Sequence, residues 1–444
     1  MGYPKIVVTP PGPKAKAIVD RDHSIISPSF GRAYPLVIKS GDGCIITDVD
    51  GNEFIDMNAG LAVVSVGHRH PRVTESIKEQ ADRFIHYSYT DFYYENYVDL
   101  GEMLHDLVPG DFKKKFFYGN SGAEAVEAAI KLSRWHSKRP GILAYIGSFH
   151  GRTMGAVSLT ASKPAQRRYF SPLVPGVEHI FYPYCYRCPF NLECPSCGYR
   201  CVSYIDDYLF HKYVPPEEVA MVMAEPIQGE GGYVVPPRGY FKELKKLCDE
   251  HGILLASDEI QSGVGRTGKW FAIEHFDVVP DIVCMAKGIA AGLPLGVTAS
   301  RADLMDWEPG SHASTFGGNP VATAAAKAVI QIIEEEGLLE NSESQGSYIK
   351  KRLTEMKDDH KMIGDVRGIG LMVGVELVKD KYTKEPAKQE TNDVMMSCFR
   401  KGVAIVNCGV STIRMMPPLT ITRELIDRSL EIFEESLSEV EARA

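Results

Sequence analysis

Short apolar runs alternate with amphipathic stretches through the middle of the chain. The apolar runs are KKFFY, GILAYI, VAMVMA, ILLAS and DIVCMA. The amphipathic stretches between them include AEAVEAAIKLSRW and GYFKELKKLCDEHG. Continuous apolar runs are typical of strands buried on both faces of a parallel sheet, and amphipathic stretches are typical of the helices that connect such strands. The pattern therefore predicts a doubly wound α/β unit.

Different patterns flank this region. Near the N-terminus, GCIITDVDGNEFIDM has apolar runs on both sides of Asp50-Gly51, which predicts a hairpin. From Pro71, apolar residues recur at helical spacing, which predicts a helix. Beyond Asn319 come two helical patterns, the strand-like GLMVGVEL, a turn-rich stretch and a closing helix, which together indicate a smaller α+β unit.

We therefore expect a large α/β domain at residues 68–318 and a smaller α+β domain at residues 319–444. We expect residues 1–67 to join the smaller domain. A chain of 444 residues is long enough for this arrangement and for a deep active site.

Charge and composition exclude several classes of partner. The chain has a net charge of -9 and no basic surplus, so nucleic acid and anionic membranes are poor partners and small molecules are better ones. No stretch approaches the roughly 18 consecutive apolar residues that span a bilayer. The N-terminal residues also lack the charged head and apolar run of a signal peptide. We expect a soluble, cytoplasmic protein.

Ionisable residues follow three of the apolar runs. Glu225 follows VAMVMA, Asp258 follows ILLAS, and Lys287 follows DIVCMA. Ligands of open parallel sheets bind at the carboxyl ends of the strands, so these residues are candidates for one site with tuned protonation states. A structural alternative is that they simply leave the core at strand ends.

Six motifs carry a resemblance to a known family. In chain order they are GNSGAEAVEAAIKLSR, GSFHGRT, AEPIQGEGG, SDEIQSGVGRTG, AKGIAAGLPLG and HASTFGGNP. They resemble the class III aminotransferases, which include 4-aminobutyrate, ornithine and acetylornithine aminotransferases, and the resemblance runs from about Pro35 to Leu430. It implies a pyridoxal 5'-phosphate (PLP) dependent transferase of fold type I, with a large mixed-sheet domain and a smaller α+β domain.

The resemblance also assigns the residues that hold the cofactor. Lys287 would form the Schiff base with PLP and move the α-proton, and Asp258 would keep the pyridine nitrogen protonated. The other implied cofactor residues are Ser121, Gly122 and Ala123 at the phosphate, Phe149 on the ring face, Gln261 at the phenolic oxygen, and Glu225. The phosphate residues stand between a strand and a helix, where free backbone donors and the helix dipole favour an anion. His150 has a structural interpretation only.

Thr315 in HASTFGGNP resembles the residue that reaches the phosphate of the neighbouring subunit. The resemblance therefore implies a homodimer or a higher homo-oligomer. Apart from the resemblance, nothing in the sequence distinguishes this segment from an ordinary loop.

The resemblance assigns four residues to substrate binding. Arg414 would bind the α-carboxylate, Glu230 would cover Arg414 when an ω-amino acid arrives, and Arg152 would bind the far carboxylate. Leu61 stands where ornithine enzymes have a tyrosine, which favours 4-aminobutyrate. We therefore expect an amino group to pass from an ω-amino acid to 2-oxoglutarate. The main alternative is an amino-acid racemase of the same family, in which Glu230 donates a proton opposite Lys287.

Other patterns keep further alternatives open. CYRCPFNLECPSCGYRC contains Cys185, Cys188, Cys194, Cys197 and Cys201. We interpret this cysteine-rich segment (residues 185–201) as an insertion that holds zinc or disulfides, and a metal-binding interaction module is the non-enzymatic alternative. RGIGLMVG has glycines like those of a dinucleotide fold but lacks the acidic ribose partner. His68 and His70 indicate a turn rather than a metal site.

Overall fold

The computed structural model describes residues 2–443. Its helices are α1 (Pro13–Ile25), α2 (Ala59–Ala62), α3 (Pro71–Arg83), α4 (Glu95–Leu107), α5 (Gly122–Ser137), α6 (Met154–Leu159), α7 (Arg200–Tyr204), α8 (Tyr240–His251), α9 (Pro320–Glu335), α10 (Leu338–Asp359), α11 (Lys388–Lys401) and α12 (Arg423–Glu441). Its strands are β1 (Ile38–Asp42), β2 (Ile45–Asp48), β3 (Glu53–Asp56), β4 (Lys114–Gly119), β5 (Gly141–Tyr145), β6 (Val177–Ile180), β7 (Val219–Ala224), β8 (Leu254–Asp258), β9 (Ile282–Met285), β10 (Gly296–Arg301), β11 (Ile363–Ile369), β12 (Met372–Asp380), β13 (Glu385–Pro386), β14 (Val403–Ala404), β15 (Val406–Cys408) and β16 (Thr412–Met415).

A seven-stranded sheet forms the centre of the molecule, in the order β4-β10-β9-β8-β7-β5-β6. The strands from β9 to β6 pair in parallel, whereas β10 is antiparallel to both of its neighbours. All six residues of β7 are buried, as expected of a strand with helices on both faces. The predicted doubly wound, mixed-sheet α/β fold is confirmed.

The carboxyl ends of three adjacent strands meet at one rim of this sheet. The last residue of β7, Ala224, is paired with Ser257, and Asp258 is paired with Cys284. Glu225, Asp258 and Lys287 therefore leave the sheet at the same edge.

Two smaller sheets complete the fold. One has the order β1-β2-β3-β14 and the other β11-β12-β16-β15, with β13 on β12. Parallel pairing of β14 with β3 joins the C-terminal part of the chain to the N-terminal segment. The hairpin at Asp50-Gly51 is formed by β2 and β3. The division into domains at residues 67/68 and 318/319 stays a prediction.

The glycine-rich RGIGLMVG is an antiparallel hairpin of β11 and β12. A dinucleotide fold needs a strand followed by a helix at this point, so the alternative based on these glycines is wrong. Within residues 2–443, no helix combines the length and apolar character needed to cross a membrane.

Candidate active site

A cavity of about 360 Å³ opens at the carboxyl rim of the central sheet. Nine residues singled out from the sequence line it: Ser121, Gly122, Ala123, Phe149, Glu225, Glu230, Asp258, Gln261 and Lys287. Several of their neighbours were not predicted as site residues, among them Val63, Asn120, Ile260, Leu293 and Leu295. Ligand pockets of this size are typically apolar with a few convergent polar groups, as here.

Lys287 stands two residues after β9 in a strained backbone. Its φ is +39°, in the left-handed region that few residues other than glycine adopt. A Cβ on the next residue, Gly288, would lie 2.4 Å from the hydroxyl of Ser65, so a larger residue there would require Ser65 to move. Burial lowers the pKa of Lys287, although Asp258 opposes this effect. The lowered pKa suits a lysine that reacts in its neutral form.

Asp258 is held by donors on both oxygens. Its Oδ2 lies 2.6 Å from Nδ1 of His150, and its Oδ1 accepts a hydrogen bond from the backbone N–H of Ile260 at 3.0 Å. Nε2 of His150 is buried and has no hydrogen-bond partner within residues 2–443. The structure thus gives His150 a place in the site beyond the structural role expected from the sequence. Its adjacency to Phe149 in GSFHGRT was the only available signal.

Glu225 connects two loops of the cavity wall. One carboxylate oxygen accepts from the backbone N–H of Phe149 at 2.9 Å, and the other accepts from that of Gly229 at 2.8 Å. Burial raises the pKa of Glu225 to about 7, against the opposing charge of His150. Its hydrogen bonds thus position the aromatic ring of Phe149 and the loop that carries Glu230.

The start of α5 faces the cavity. Ser121 caps this helix by accepting a hydrogen bond from the N–H of Glu124 at 3.2 Å. The neighbouring strand β10 runs so close that a Cβ on Gly296 would lie 2.0 Å from the carbonyl oxygen of Ser121. N–H groups of the first helical turn have no partner within the helix, so Gly122 and Ala123 present donors and a positive dipole end to an anion.

Arg414 and Glu230 form an ion pair beside the cavity. Nη1 of Arg414 lies 2.8 Å from Oε1 of Glu230, and Nζ of Lys163 lies 3.1 Å from Oε2. Burial alone would raise the pKa of Glu230, but Arg414 and Lys163 outweigh it and lower the pKa. Lys163 was not selected from the sequence, because nothing in its local pattern distinguishes it from a surface lysine.

Leu61, Arg152, Thr315 and Arg414 do not line the cavity wall itself. Arg152 is exposed, with its guanidinium 5.5 Å from the centre of the Phe149 ring, and it makes no ion pair within residues 2–443. Thr315 is also exposed and lies away from the cavity of its own chain.

Leu61 belongs to a strained turn near the cavity. All four residues of α2, Ala59–Ala62, have positive φ angles between 48° and 69°. Left-handed turns of this kind cost roughly 1–2 kcal/mol per non-glycine residue. The turn leaves the Leu61 side chain 44% exposed two residues before the cavity-lining Val63. Its exposure is compatible with a contact to a substrate at the entrance.

The prediction of zinc at the cysteine-rich segment is not supported. Within residues 2–443, no group of three or more His, Cys, Asp or Glu side chains is arranged to hold a metal ion. Cys185, Cys188, Cys194, Cys197 and Cys201 are all free thiols, so the disulfide alternative is not observed either.

Burial affects the pKa of two thiols of this segment. It raises the pKa of Cys185 to about 11 and that of Cys201 to about 12, and the neighbouring cysteines add to the effect. The two histidines of GHRHP are separate as well, since His68 contacts Asp56 at 2.7 Å and His70 contacts Glu336 at 3.1 Å.

Comparison with known proteins identifies the family. A family model described as aminotransferase class-III matches residues 27–437. The chain belongs to the class III aminotransferases. An alanine/serine racemase of Pyrococcus horikoshii is 43% identical over 99% of this chain and 94% of that protein. A probable 4-aminobutyrate aminotransferase of Bacillus subtilis is 40% identical over 90% of this chain and 92% of its own length.

Solved structures of transaminases have the same fold. A PLP-bound amine transaminase from an uncultivated Pseudomonas species superimposes with a TM-score of 0.84 and 31% identity, over 92% of this chain and 95% of that one. This confirms the fold type I architecture, and PLP is the cofactor of the family.

The cavity of this chain fits PLP. The amide oxygen of Gln261 and Nε2 of His150 are buried without partners within residues 2–443, so the site contains polar groups that a bound molecule can satisfy. An anion-binding helix start lies on the cavity wall together with a buried acid, Asp258, and a half-buried lysine, Lys287. The helix start matches a phosphate, Asp258 matches a ring nitrogen and Lys287 matches an aldehyde, and PLP carries all three groups.

Proposed function

We propose that the chain is an aminotransferase that takes the terminal amino group of a compact ω-amino acid, such as 4-aminobutyrate, and passes it to 2-oxoglutarate. The observation that carries this proposal is the ion pair between Glu230 and the buried Arg414. While the pair is closed, Arg414 cannot bind an α-carboxylate.

The closed pair favours a donor without an α-carboxylate. Arg152 makes no ion pair with any residue that the structure describes, so it is available to the carboxylate of an ω-amino acid. A short chain such as 4-aminobutyrate would then extend its amine toward Lys287. The exposed, apolar Leu61 suits the aliphatic chain of such a donor.

The acceptor needs the Glu230–Arg414 pair to be open. 2-Oxoglutarate has carboxylates at both ends, so Arg152 and Arg414 can each bind one, provided that Glu230 releases Arg414. Lys163 gives Glu230 a second cation at 3.1 Å, so Glu230 would keep a partner after the release. Without that second cation, the release would leave a half-buried carboxylate unpaired, which is costly.

PLP, when bound, supplies an electron sink that stabilises negative charge at the carbon next to the amine. We propose that Ser121, Gly122 and Ala123 hold its phosphate, that Phe149 packs on its ring, and that Gln261 and Glu225 complete the wall. Asp258 would hold a proton at the ring nitrogen. Lys287 would carry the cofactor and move the proton at the reacting substrate carbon.

An amino-acid racemase is the second candidate, favoured by the 43% identity to an alanine/serine racemase. Racemisation needs a proton donor on the face opposite Lys287, and Glu230, one of three acids that line the cavity, is the candidate. Arg414 and Lys163 lower the pKa of Glu230, so its protonated form is scarce near neutral pH. That lowered pKa argues for the ion-pairing role of Glu230.

The deciding experiment measures both activities in one preparation. The pure enzyme with 4-aminobutyrate and 2-oxoglutarate should form glutamate over many turnovers. Single L-amino acids without an oxo acid should give no D-isomer over many turnovers. Formation of D-isomer without glutamate from any ω-amino acid would replace the aminotransferase with the racemase.

A further inference from the structure

One arginine contacts both segments that carry the Glu230–Arg414 pair. Nη2 of Arg367 donates to the carbonyl oxygen of Gly232 at 2.6 Å and to the hydroxyl of Thr412 at 3.2 Å. Gly232 stands two residues after Glu230, and Thr412 stands two residues before Arg414 on β16. The guanidinium of Arg367 thus connects the loop that carries Glu230 to the strand that carries Arg414.

The close approach of these segments depends on a glycine. Gly232 has a φ of +127°, and a Cβ there would lie 3.2 Å from Nη2 of Arg367 and 3.4 Å from the hydroxyl of Thr412. A further bond, from the N–H of Gly409 to the carbonyl oxygen of Glu230 at 2.8 Å, holds the same loop to the turn before β16.

Arg367 is itself fixed by a buried carboxylate. Its Nη1 lies 2.7 Å from Oε2 of Glu376 on β12, and these two side chains are only 9% and 4% exposed. Nη1 also donates to Asp365 at 2.8 Å. Buried, charge-assisted contacts of this kind hold side chains in one geometry more firmly than surface pairs do.

Glu376 is shared with the cysteine-rich segment. Nε of Arg187 donates to its Oε1 at 2.6 Å, and the hydroxyl of Tyr184, the residue before the segment, donates to Oε2. Lys384 also donates to the carbonyl oxygen of Tyr186 at 2.9 Å. The segment therefore packs on the C-terminal sheet at the carboxylate that fixes Arg367.

We propose that Arg367 is a positioning residue for substrate choice, and that the cysteine-rich segment acts on the Glu230–Arg414 pair through Arg187, Glu376 and Arg367. The proposal rests on the role of this pair in the proposed function. When its partners fix Arg367 in place, Glu230 and Arg414 stay at contact distance, which favours the closed pair. A loosened Arg367 lets them separate, so Arg414 becomes available to an α-carboxylate more often.

The first test uses two ligands that differ in their need for Arg414. Glutarate has two carboxylates and requires Arg414, whereas butyrate has one and can bind at Arg152 alone. Their dissociation constants are measured by calorimetry on the holoenzyme. In Thr412→Val, the ratio of the butyrate constant to the glutarate constant should rise about fivefold, the effect of one typical hydrogen bond. Thr412→Ser keeps the hydroxyl and should restore the wild-type ratio.

The second test concerns the cysteine-rich segment. Arg187→Met should shift the ratio in the same direction, whereas Cys185→Ser, an exposed thiol in the same segment, should leave it unchanged. Because Arg187 and Thr412 act through one arginine, the double variant should shift the ratio by less than the product of the single shifts.

The outcomes separate this proposal from the proposed function. A ratio that changes by less than about twofold in Thr412→Val, or that falls, overturns the positioning role even if the melting temperature drops. An unchanged ratio in Arg187→Met, or fully multiplicative shifts in the double variant, overturns the link to the segment. Ligand binding does not depend on the reaction catalysed, so absence of amino transfer in the wild type would overturn only the proposed function.

Discussion

Nδ1 of His150 lies 2.6 Å from Oδ2 of Asp258, and both side chains are buried. Burial alone would lower the pKa of His150, but the hydrogen bond and the charge of Asp258 outweigh it and raise the pKa. The contact therefore holds the Asp258 carboxylate at a fixed place at the end of β8. A carboxylate at that place is the feature of the site that a cofactor ring nitrogen would need.

Asp258→Asn should keep the shape of the side chain and remove its charge. We expect kcat for amino transfer to fall by about a thousandfold, comparable with the loss of one preorganised electrostatic group in other enzymes. Far-UV circular dichroism should stay unchanged, because the amide can still accept from the N–H of Ile260. A rate close to that of the wild type would refute the role of Asp258.

Lys287→Ala should abolish covalent attachment of the cofactor and all turnover. Among the residues that the structure describes, no other lysine lines the cavity, so none of them can replace Lys287. The measurement is borohydride reduction followed by peptide mass spectrometry, which should find the cofactor on Lys287 in the wild type and on no residue in the variant. Lys163→Ala is the matched control and should keep the label on Lys287. A labelled peptide in Lys287→Ala would contradict the assignment.

Much of the fold could be predicted because its signals are local. The apolar run of β7 and the helix that follows Pro71 are readable from a few consecutive residues. Helix α1 was not predicted, since its N-terminus is stabilised by a distant residue. The carboxylate of Asp50 accepts the N–H groups of Lys14 and Ala15 at 3.0 and 2.9 Å. A cap supplied from another part of the chain leaves no mark on the helix sequence.

The residues of the site also divide into those that local sequence predicts and those that it does not. Asp258 and Lys287 follow apolar strands, so their convergence could be expected from the topology of a parallel sheet. The contact of Lys163 with Glu230 and that of Arg367 with Gly232 join residues far apart in sequence. Such contacts depend on the packing of loops, which no periodic pattern describes.

Glu230→Gln should change which substrates the enzyme prefers. The amide has no charge to hold Arg414, so Arg414 becomes available to α-carboxylates. We expect the ratio of kcat/KM for 4-aminobutyrate to kcat/KM for L-glutamate to fall about tenfold, equivalent to about 1.4 kcal/mol. The ratio is measured in single-turnover reactions with each donor. Should the ratio stay constant while both values fall equally, Glu230 would have a role other than covering Arg414.

Thr315 should serve the site of the neighbouring subunit, because it lies outside the cavity of its own chain. Thr315→Asp and Lys287→Ala are each expected to be inactive, the first through repulsion of the cofactor phosphate. Refolding them together should produce mixed dimers with one intact site and one doubly altered site. Statistical mixing predicts about a quarter of the wild-type activity. If Thr315 serves its own chain, the mixture will stay inactive.

The raised pKa of Glu225 should make the stability of the protein depend on pH. Burial raises this pKa from 4.5 to about 7, so between these values the folded protein keeps a proton that the unfolded chain has released. A group that binds its proton more tightly when folded loses stabilising effect as the pH rises through this window, by at most about 1.4 kcal/mol per pH unit.

The test compares the wild-type apoprotein with Glu225→Gln by chemical denaturation from pH 4 to pH 8. The wild type should lose stability relative to the variant between pH 4.5 and about 7, and the difference should be constant above that pH. Glu259 is buried in the same way and its pKa is also raised to about 7, so Glu225→Gln/Glu259→Gln should show a larger relative effect over the same window. Parallel profiles of the wild type and both variants would mean that these carboxylates titrate in the folded protein as they do in the unfolded chain.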